Sequence, residues 1–434
     1  MVSIRPLATV STKHMNIIEM GQAARAASKS LAFASTAQKN AALYRVATGI
    51  TDCQDEILDA NSIDVEAAMS AGINEHIQDR LVLNSKRLSD ISDAVQVIAN
   101  LPDPVGEVID RSTAPNGLEI ERRRVPLGVI GVIYESRPNI TVDIGSLCLK
   151  AGNAVILRGG TEAFNSNAIL ARIVSDGADA AGLPKNVVQF VHDTNRDIVK
   201  NILAMDDYID LLIPRGSAAL VKRVAEEATM PAVTGGVGVC HTYVDSAADI
   251  EMARRIVVNA KTQRPYVCNA LDTILVHVDV ASEFLQTLAD DFKALGVELR
   301  CDRRALSIIG RNKYGKIVRA ASDSDWGREF LGLIASVAIV ESMDQAMTHI
   351  AVYGSGHSEA IVTNDKLARE RFLREVDASA VFANTSTRYN DGGEFGLGAE
   401  LAISTDKMHA RGPMGLREIT SYKWVVRGNG QIRD

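Results

Sequence analysis

The chain has no apolar run approaching the roughly 20 residues that a helix needs to cross a bilayer, so no membrane span is expected. Its five cysteines are an odd number without a CxxC pair. That argues against a secreted disulfide framework and for a reducing, cytoplasmic compartment. The stretch Met1 to His14 lacks the apolar core and cleavage site of a secretory signal and reads as a loose lead-in. Positive charge is not in excess: 47 Lys+Arg against 54 Asp+Glu give a formal net charge of -7. Broad nucleic-acid affinity is thereby excluded, and any anion site must be local. The eight histidines show neither HExxH nor Cys/His ligand spacing, so no metal is expected. The GxGxxG dinucleotide fingerprint is missing as well.

What is present is an ordinary globular composition, 46% hydrophobic and 23% charged, on 434 residues. Single cores stop growing near about 250 to 300 residues, so two main domains are expected. Met15 to Asn100 reads as helical, with Ser35 and Gln38 spaced as a capping box. Pro102, Pro104, Gly106, Pro115 and Gly117 punctuate two short strands around a turn, a hairpin with which the tail strand Trp424 to Val426 is expected to pair. Gly128 to Tyr134, a helix over Ile140 to Ala151 and the run Ala154 to Leu157 form a βαβ unit. Strands at Val187 to Val191, Ile209 to Ile213 and Thr242 to Val244 alternate with helices over Arg196 to Met205 and Ala218 to Thr229. The alternation resumes after Asp245, with helices near Ile250 to Ala260 and Ser282 to Leu295. Strands near Thr273 to Val278, Val337 to Val340 and Ala360 to Val362 complete a second α/β domain.

Parallel sheets place ligands at the carboxyl ends of strands, where loops meet helix N-termini. Two loops qualify: Arg158, Gly159, Gly160 and Thr161, and Pro214, Arg215, Gly216 and Ser217. Either could cradle a phosphate or be an ordinary turn. A reactive cysteine belongs on a loop near positive charge. Cys148 and Cys53 fall in helical runs and Cys301 near a strand end, which favours packing roles. Cys240, followed by His241, and Cys268, preceded by Lys261, Gln263 and Arg264, both remain candidates on the residues alone. The run Glu121 to Arg124 could hold an anion but reads more simply as a solvated or subunit-facing strand.

The segments VPLGVIGVIYESRPN (Val125 to Asn139), GNAVILRGG (Gly152 to Gly160), IPRGS (Ile213 to Ser217), TGGVGVCHTYVD (Thr234 to Asp245) and NAKTQRPYVCN (Asn259 to Asn269) strongly resemble the γ-glutamyl phosphate reductases. These are the proline-biosynthetic branch of the aldehyde dehydrogenase superfamily. The resemblance continues through Ala346 to Ile361 and Asp391 to Trp424, in order and spacing. It implies an aldehyde-dehydrogenase-like α/β fold with a Rossmann-type NADP-binding domain, 15–105 and 127–236, on which 405–420 packs back. A catalytic domain, 237–404, and an oligomerisation hairpin and tail, 106–126 and 421–434, would complete it.

The same resemblance implies NADPH-dependent reduction of L-glutamyl 5-phosphate to L-glutamate 5-semialdehyde and phosphate, the second step of proline biosynthesis from glutamate. It makes Cys268 the nucleophile that forms a thioacyl-enzyme, although Tyr266 and Val267 beside it are less typical. The backbone N–H of Cys268 and the side chain of Asn139 would receive the oxyanion. Arg158, Gly159, Gly160, Thr161, Arg215, Gly216, Ser217 and Glu329 would bind cofactor, with Arg158 on the 2′-phosphate and Glu329 on the nicotinamide ribose. His241, Lys261, Arg264, Lys407 and Arg411 would serve the anionic substrate. Ala232, Val233 and Thr234 stand where hydrolytic members carry a glutamate base, which points to phosphate-linked chemistry. The family also implies a homo-oligomer and suggests functional coupling to glutamate 5-kinase. Two other readings stay open: a phosphorylating dehydrogenase for another short acyl phosphate, and a catalytically silent NADP-binding scaffold.

Overall fold

A computed structural model describes residues 15–73, 75–195 and 197–433. The expected lead-in Met1 to His14, and Arg196 at the start of one expected helix, lie outside them. The chain divides into two units, each built on its own parallel sheet. The first comprises 15–216, Arg223–Ala232 and 420–433; the second comprises Ser217–Lys222 and 233–419. Residues 405–419 fall in the second unit together with Val233 to Gly236, the end of the segment on which they were expected to pack. Leu401 and Ala402 exchange backbone hydrogen bonds with Met414, at 2.9 and 2.8 Å. The Asp406 carboxylate also accepts both the N–H and the hydroxyl of Thr234, at 3.0 and 2.9 Å.

The first unit begins with five helices, α1 (Ile17–Leu31), α2 (Thr36–Asp52), α3 (Gln54–Ser70), α4 (Glu75–Leu81) and α5 (Ser85–Asn100). The capping box of Ser35 and Gln38 opens α2 as expected, and Asn16 with Glu19 opens α1 in the same way. The hairpin strands β1 (Val108–Thr113) and β2 (Glu119–Pro126) pair antiparallel, and the C-terminal strand Thr420–Arg427 adds to β2, with Trp424 opposite Arg122. The arginines of Glu121 to Arg124 are paired within this sheet. Glu121 takes Arg111, Arg123 and Arg427 at 2.6 to 2.9 Å, Arg122 binds Asp110, and Arg124 meets Glu107 at 3.0 Å.

A parallel sheet of order β5-β4-β3-β6 follows, from β3 (Val129–Tyr134), β4 (Ala154–Gly159), β5 (Val188–Phe190) and β6 (Leu211–Arg215). Helices α6 (Asn139–Lys150), α7 (Phe164–Ala180) and α8 (Asp197–Leu203) connect the strands, and α9 (Ala218–Glu227) follows β6. Both central strands are buried along their whole length, which is why they read as continuous apolar runs. Gly128, at φ 130, leads into β3, and a Cβ there would meet an Asp210 oxygen at 2.2 Å. Only glycine suits that backbone and that approach.

The second unit holds a seven-stranded sheet of order β10-β9-β11-β8-β7-β12-β13, parallel throughout. Its strands are β7 (Cys240–Val244), β8 (Leu271–His277), β9 (Glu298–Cys301), β10 (Val318–Ala320), β11 (Ile334–Val340), β12 (Ser358–Val362) and β13 (Ala380–Ala383). Helices α10 (Ile250–Thr262), α11 (Val278–Ala294), α12 (Arg303–Ile309), α13 (Arg311–Tyr314), α14 (Met343–Tyr353) and α15 (Lys366–Glu375) link them. A small ribbon, β14 (Ile403–Ser404) with β15 (Gly412–Pro413), precedes the C-terminal strand. Val257, Leu271, Ile274, Phe284, Leu288 and Phe292 sit in the main core, between α10, α11 and the sheet. Among the described residues no helix is long and apolar enough to cross a membrane.

Candidate active site

In the first unit the chain leaves β3 for β4 on one side and returns through β6 on the other, so the strand order reverses between β3 and β6. The carboxyl ends at that switch point are where a nucleotide is held in open α/β sheets. The residues there interlock. Glu135 donates its N–H to the Arg215 carbonyl at 3.0 Å. Ser136, at φ 46, gives its N–H and hydroxyl to Glu162 at 2.6 and 2.8 Å. A Cβ on Gly159 would meet the Asn167 amide at 2.2 Å, one on Gly160 the Glu162 carboxylate at 2.3 Å, and one on Gly216 the Glu135 carboxylate at 2.4 Å. These glycines therefore bring the backbone of both loops against polar side chains. Arg158 is 8% exposed, in the strand that ends at this edge, and Thr161 starts the 3-10 turn before α7. Ser217 follows, and its hydroxyl accepts from the Leu220 N–H at 3.4 Å. Buried arginine, glycine loops and the switch point together fit a phosphate-bearing dinucleotide.

Asn139 is the first residue of α6, and its Nδ2 donates to Asp143 Oδ2 at 2.8 Å. Burial raises the Asp143 carboxyl to about 6, while the Asn139 hydrogen bond and the Arg215 charge pull it the other way. One amide hydrogen of Asn139 is thus committed, which fixes the direction of the other. Sequence reasoning did not single out Asp143, Ser136 or Glu162.

In the second unit the chemistry gathers at the amino ends of the parallel strands. Cys268 lies on the loop between α10 and β8 and is partly exposed. Val267 accepts the Ala270 N–H at 3.1 Å. A trans peptide sets C=O and N–H in opposite directions, so the Cys268 N–H points away from that turn. The Cys268 carbonyl is held from the other side. Cys240 donates its S–H to that oxygen at 3.2 Å, and Gly238 lies so close that a Cβ there would fall 1.6 Å from it. Burial pushes the Cys240 thiol well above its ordinary value, and neighbouring Asp272 and Glu359 add to this. Cys240 is therefore a buried proton donor to the backbone of Cys268, poorly suited to attack. Cys148 and Cys301 are buried, with the Cys301 thiol pushed up to about 12 by burial.

Glu329 accepts the Gly238 N–H at 3.0 Å, and burial raises its carboxyl to about 7, with Gly238 opposing and Asp272 reinforcing. Asp272 accepts the Phe330 N–H at 3.1 Å and is raised to about 6 by burial. Glu329, Gly238 and Cys268 form one connected set under the loop.

A model of the aldehyde dehydrogenase family matches residues 5–318. The chain belongs to the aldehyde dehydrogenase family. It is 54% identical to the γ-glutamyl phosphate reductase of Dehalococcoides mccartyi, over 96% of this chain and 99% of that protein. It is 51% identical to that of Chloroflexus aurantiacus, over 95% and 98%. The crystal structure of γ-glutamyl phosphate reductase from Thermotoga maritima superposes with a TM-score of 0.93 at 42% identity, covering 96% of this chain and 99% of that one.

Within this member of the family, the five cations expected to serve the substrate divide sharply. His241 is buried, with its N–H and Nδ1 both on Glu359, at 2.9 and 3.0 Å. Lys261 is buried against Asp272 at 3.4 Å, and burial pushes its amine below its ordinary value. Lys407 and Arg411 share Asp377 at 2.5 and 2.6 Å. Arg264 is exposed, and a guanidinium that sequence reasoning missed, Arg388, donates its Nε–H to the preceding residue, Gln263, at 2.8 Å. Among the described residues no group of His, Cys, Asp or Glu is placed to hold a metal ion.

Proposed function

We propose that the chain reduces L-glutamyl 5-phosphate to L-glutamate 5-semialdehyde and phosphate, the second step of proline biosynthesis from glutamate, through a thioacyl intermediate on Cys268. The observation that carries this reading is near full-length similarity to γ-glutamyl phosphate reductases, with Cys268 partly exposed on the amino-edge loop. Its thiolate attacks the acyl carbon, and the C–O bond to phosphate breaks with the electron pair leaving on phosphate. The Cys268 N–H is the proposed donor to the developing oxyanion, and Asn139 is the proposed second donor. NADPH, when bound, supplies the hydride that reduces the thioester. Reforming the carbonyl expels the Cys268 thiolate and frees the aldehyde.

Deacylation by water needs a base, and Ala232, Val233 and Thr234, which stand where hydrolytic members of the family carry a glutamate, supply none. That favours phosphate as the acyl acceptor in the reverse direction. Arg158, with Gly159, Gly160, Thr161, Arg215, Gly216 and Ser217, is assigned to NADPH, and Glu329 to its ribose. The reading further places the enzyme in the cytoplasm, functionally coupled to glutamate 5-kinase because acyl phosphates are labile. It is assigned a homo-oligomer formed through the hairpin sheet, whose C-terminal strand exposes Tyr422, Trp424 and Val426. Light scattering tests the assembly.

The activity is tested by NADP⁺ reduction at 340 nm with glutamate 5-semialdehyde and phosphate, comparing wild type with Cys268→Ala. Phosphate-dependent signal confined to wild type is expected. Signal without phosphate would indicate hydrolysis, and a preference for another acyl substrate would move the reading to a different acyl phosphate.

A further inference from the structure

Arg388 stands outside every motif that marked cations in the sequence, yet the fold ties it to the catalytic loop. Ser386 opens the 3-10 turn Thr387–Tyr389 after β13, and this turn is stitched to the residue after Cys268. Thr387 donates its hydroxyl to the Asn269 carbonyl at 2.8 Å, and the Asn269 amide donates to the Asn390 and Arg388 carbonyls at 3.0 and 3.4 Å. The half-buried guanidinium of Arg388 spends its Nε on Gln263 at 2.8 Å, which leaves its two terminal amino groups for another acceptor. Its charged surroundings are Arg264, Asp391, Cys268 and Cys240.

Arg388 hydrogen-bonds the residue that precedes Arg264, the Arg264 charge acts against its own, and among the described residues neither guanidinium forms an ion pair. Burial pushes Arg388 below its ordinary value, and Arg264 pushes the same way. Both effects are relieved by an anion between the two forks, for which a tetrahedral oxyanion group is well matched. On the proposed reaction, the substrate carries two anionic groups. The phosphate is joined through a single oxygen to the carbon that Cys268 attacks, whereas the α-carboxylate sits at the far end of the glutamyl chain. Arg388 sits on the turn bonded to Asn269, the residue after Cys268, and Arg264 four residues before Cys268, so these two cations fall to the phosphate.

We propose that Arg388 and Arg264 form the clamp that binds the phosphate of the acyl phosphate and holds it as the leaving group. The inference rests on the proposed function, and two readouts keep their failures apart. In the reverse reaction, Arg388→Gln should raise the KM for inorganic phosphate about tenfold or more, leaving the KM for NADP⁺ and the thermal midpoint near wild type. Arg388→Lys, which keeps the charge but not the fork, should fall between. A rise in the KM for semialdehyde instead would assign the pair to the carboxylate and overturn the clamp, as would an unchanged phosphate KM. The second readout needs no turnover: inorganic phosphate should slow iodoacetamide labelling of Cys268 in wild type but not in Arg388→Gln. Absence of protection in wild type would overturn the clamp; protection in an enzyme without glutamyl phosphate reduction would sustain it while removing the proposed substrate.

Discussion

Replacing Gly238 with alanine puts a methyl carbon 1.6 Å from the carbonyl oxygen of Cys268, short of an ordinary contact by roughly 2 Å. The backbone of Gly238 lies outside the left-handed region, so alanine itself is tolerated there. The collision is with main chain, which has no rotamer to escape into. The strand-leading segment and the Cys268 loop must separate, and the Cys268 peptide moves with them. A 1 Å misplacement of reacting groups is enough for about a 10²-fold loss. We therefore expect Gly238→Ala to lower kcat/KM by at least about 10²-fold, close to 3 kcal/mol of transition-state stabilisation. The assay is phosphate-dependent NADP⁺ reduction beside far-UV circular dichroism, with Gly332→Ala as control, since its added Cβ meets nothing nearer than 3.7 Å. A folded Gly238→Ala enzyme within about threefold of wild type would refute the clamped-carbonyl account.

Cys240→Ala removes the S–H donor to the same carbonyl; kcat should fall about five- to tenfold, with Cys268 still labelled by iodoacetamide. Complete loss in Cys240→Ala with activity kept in Cys268→Ala would instead make Cys240 the nucleophile. Glu329 is raised from 4.5 to about 7, so the unfolded chain ionises first as pH rises. Its stabilising contribution is full below about pH 4.5 and is lost by about pH 7, up to about 3 kcal/mol. Glu329→Gln should flatten that part of the stability profile measured by urea unfolding, and an unchanged profile would count against the burial argument. Asp143→Ala frees the Asn139 amide and should lower kcat more than Asp143→Asn, which keeps an acceptor; equal kcat values would show that the hydrogen bond does not position Asn139.

The elements that read correctly from sequence carry their own signal. β3 and β4 are buried on both faces and so are unbroken apolar runs, and the Ser35–Gln38 box is a local hydrogen-bond pattern. β9, β10 and β13 were not legible. β9 alternates with charged residues, and β10 and β13 are short strands at the sheet edges. The cations illustrate a deeper limit. His241 and Lys261 look available in sequence, but Glu359 lies opposite His241 in the β12–β7 register, and Asp272 stands on β8 beside Lys261. Glu359 comes from a strand 118 residues further along the chain, and the turn that brings Arg388 to Asn269 from 119 away. Asp272, only 11 residues from Lys261, is set against it by the fold of the intervening loop. The loop position of Cys268 was legible from its neighbours, its choice over Cys240 came from resemblance, and its held carbonyl is visible only in three dimensions.

The central claim is that Cys268 carries the acyl group, and it is tested most directly by supplying glutamate 5-semialdehyde and NADP⁺ without phosphate. The account predicts a burst of one NADPH per active chain and a glutamyl thioester on the Cys268 peptide by mass spectrometry, discharged when phosphate is added. A label on another residue, or steady turnover without phosphate and without a trapped thioester, would contradict it.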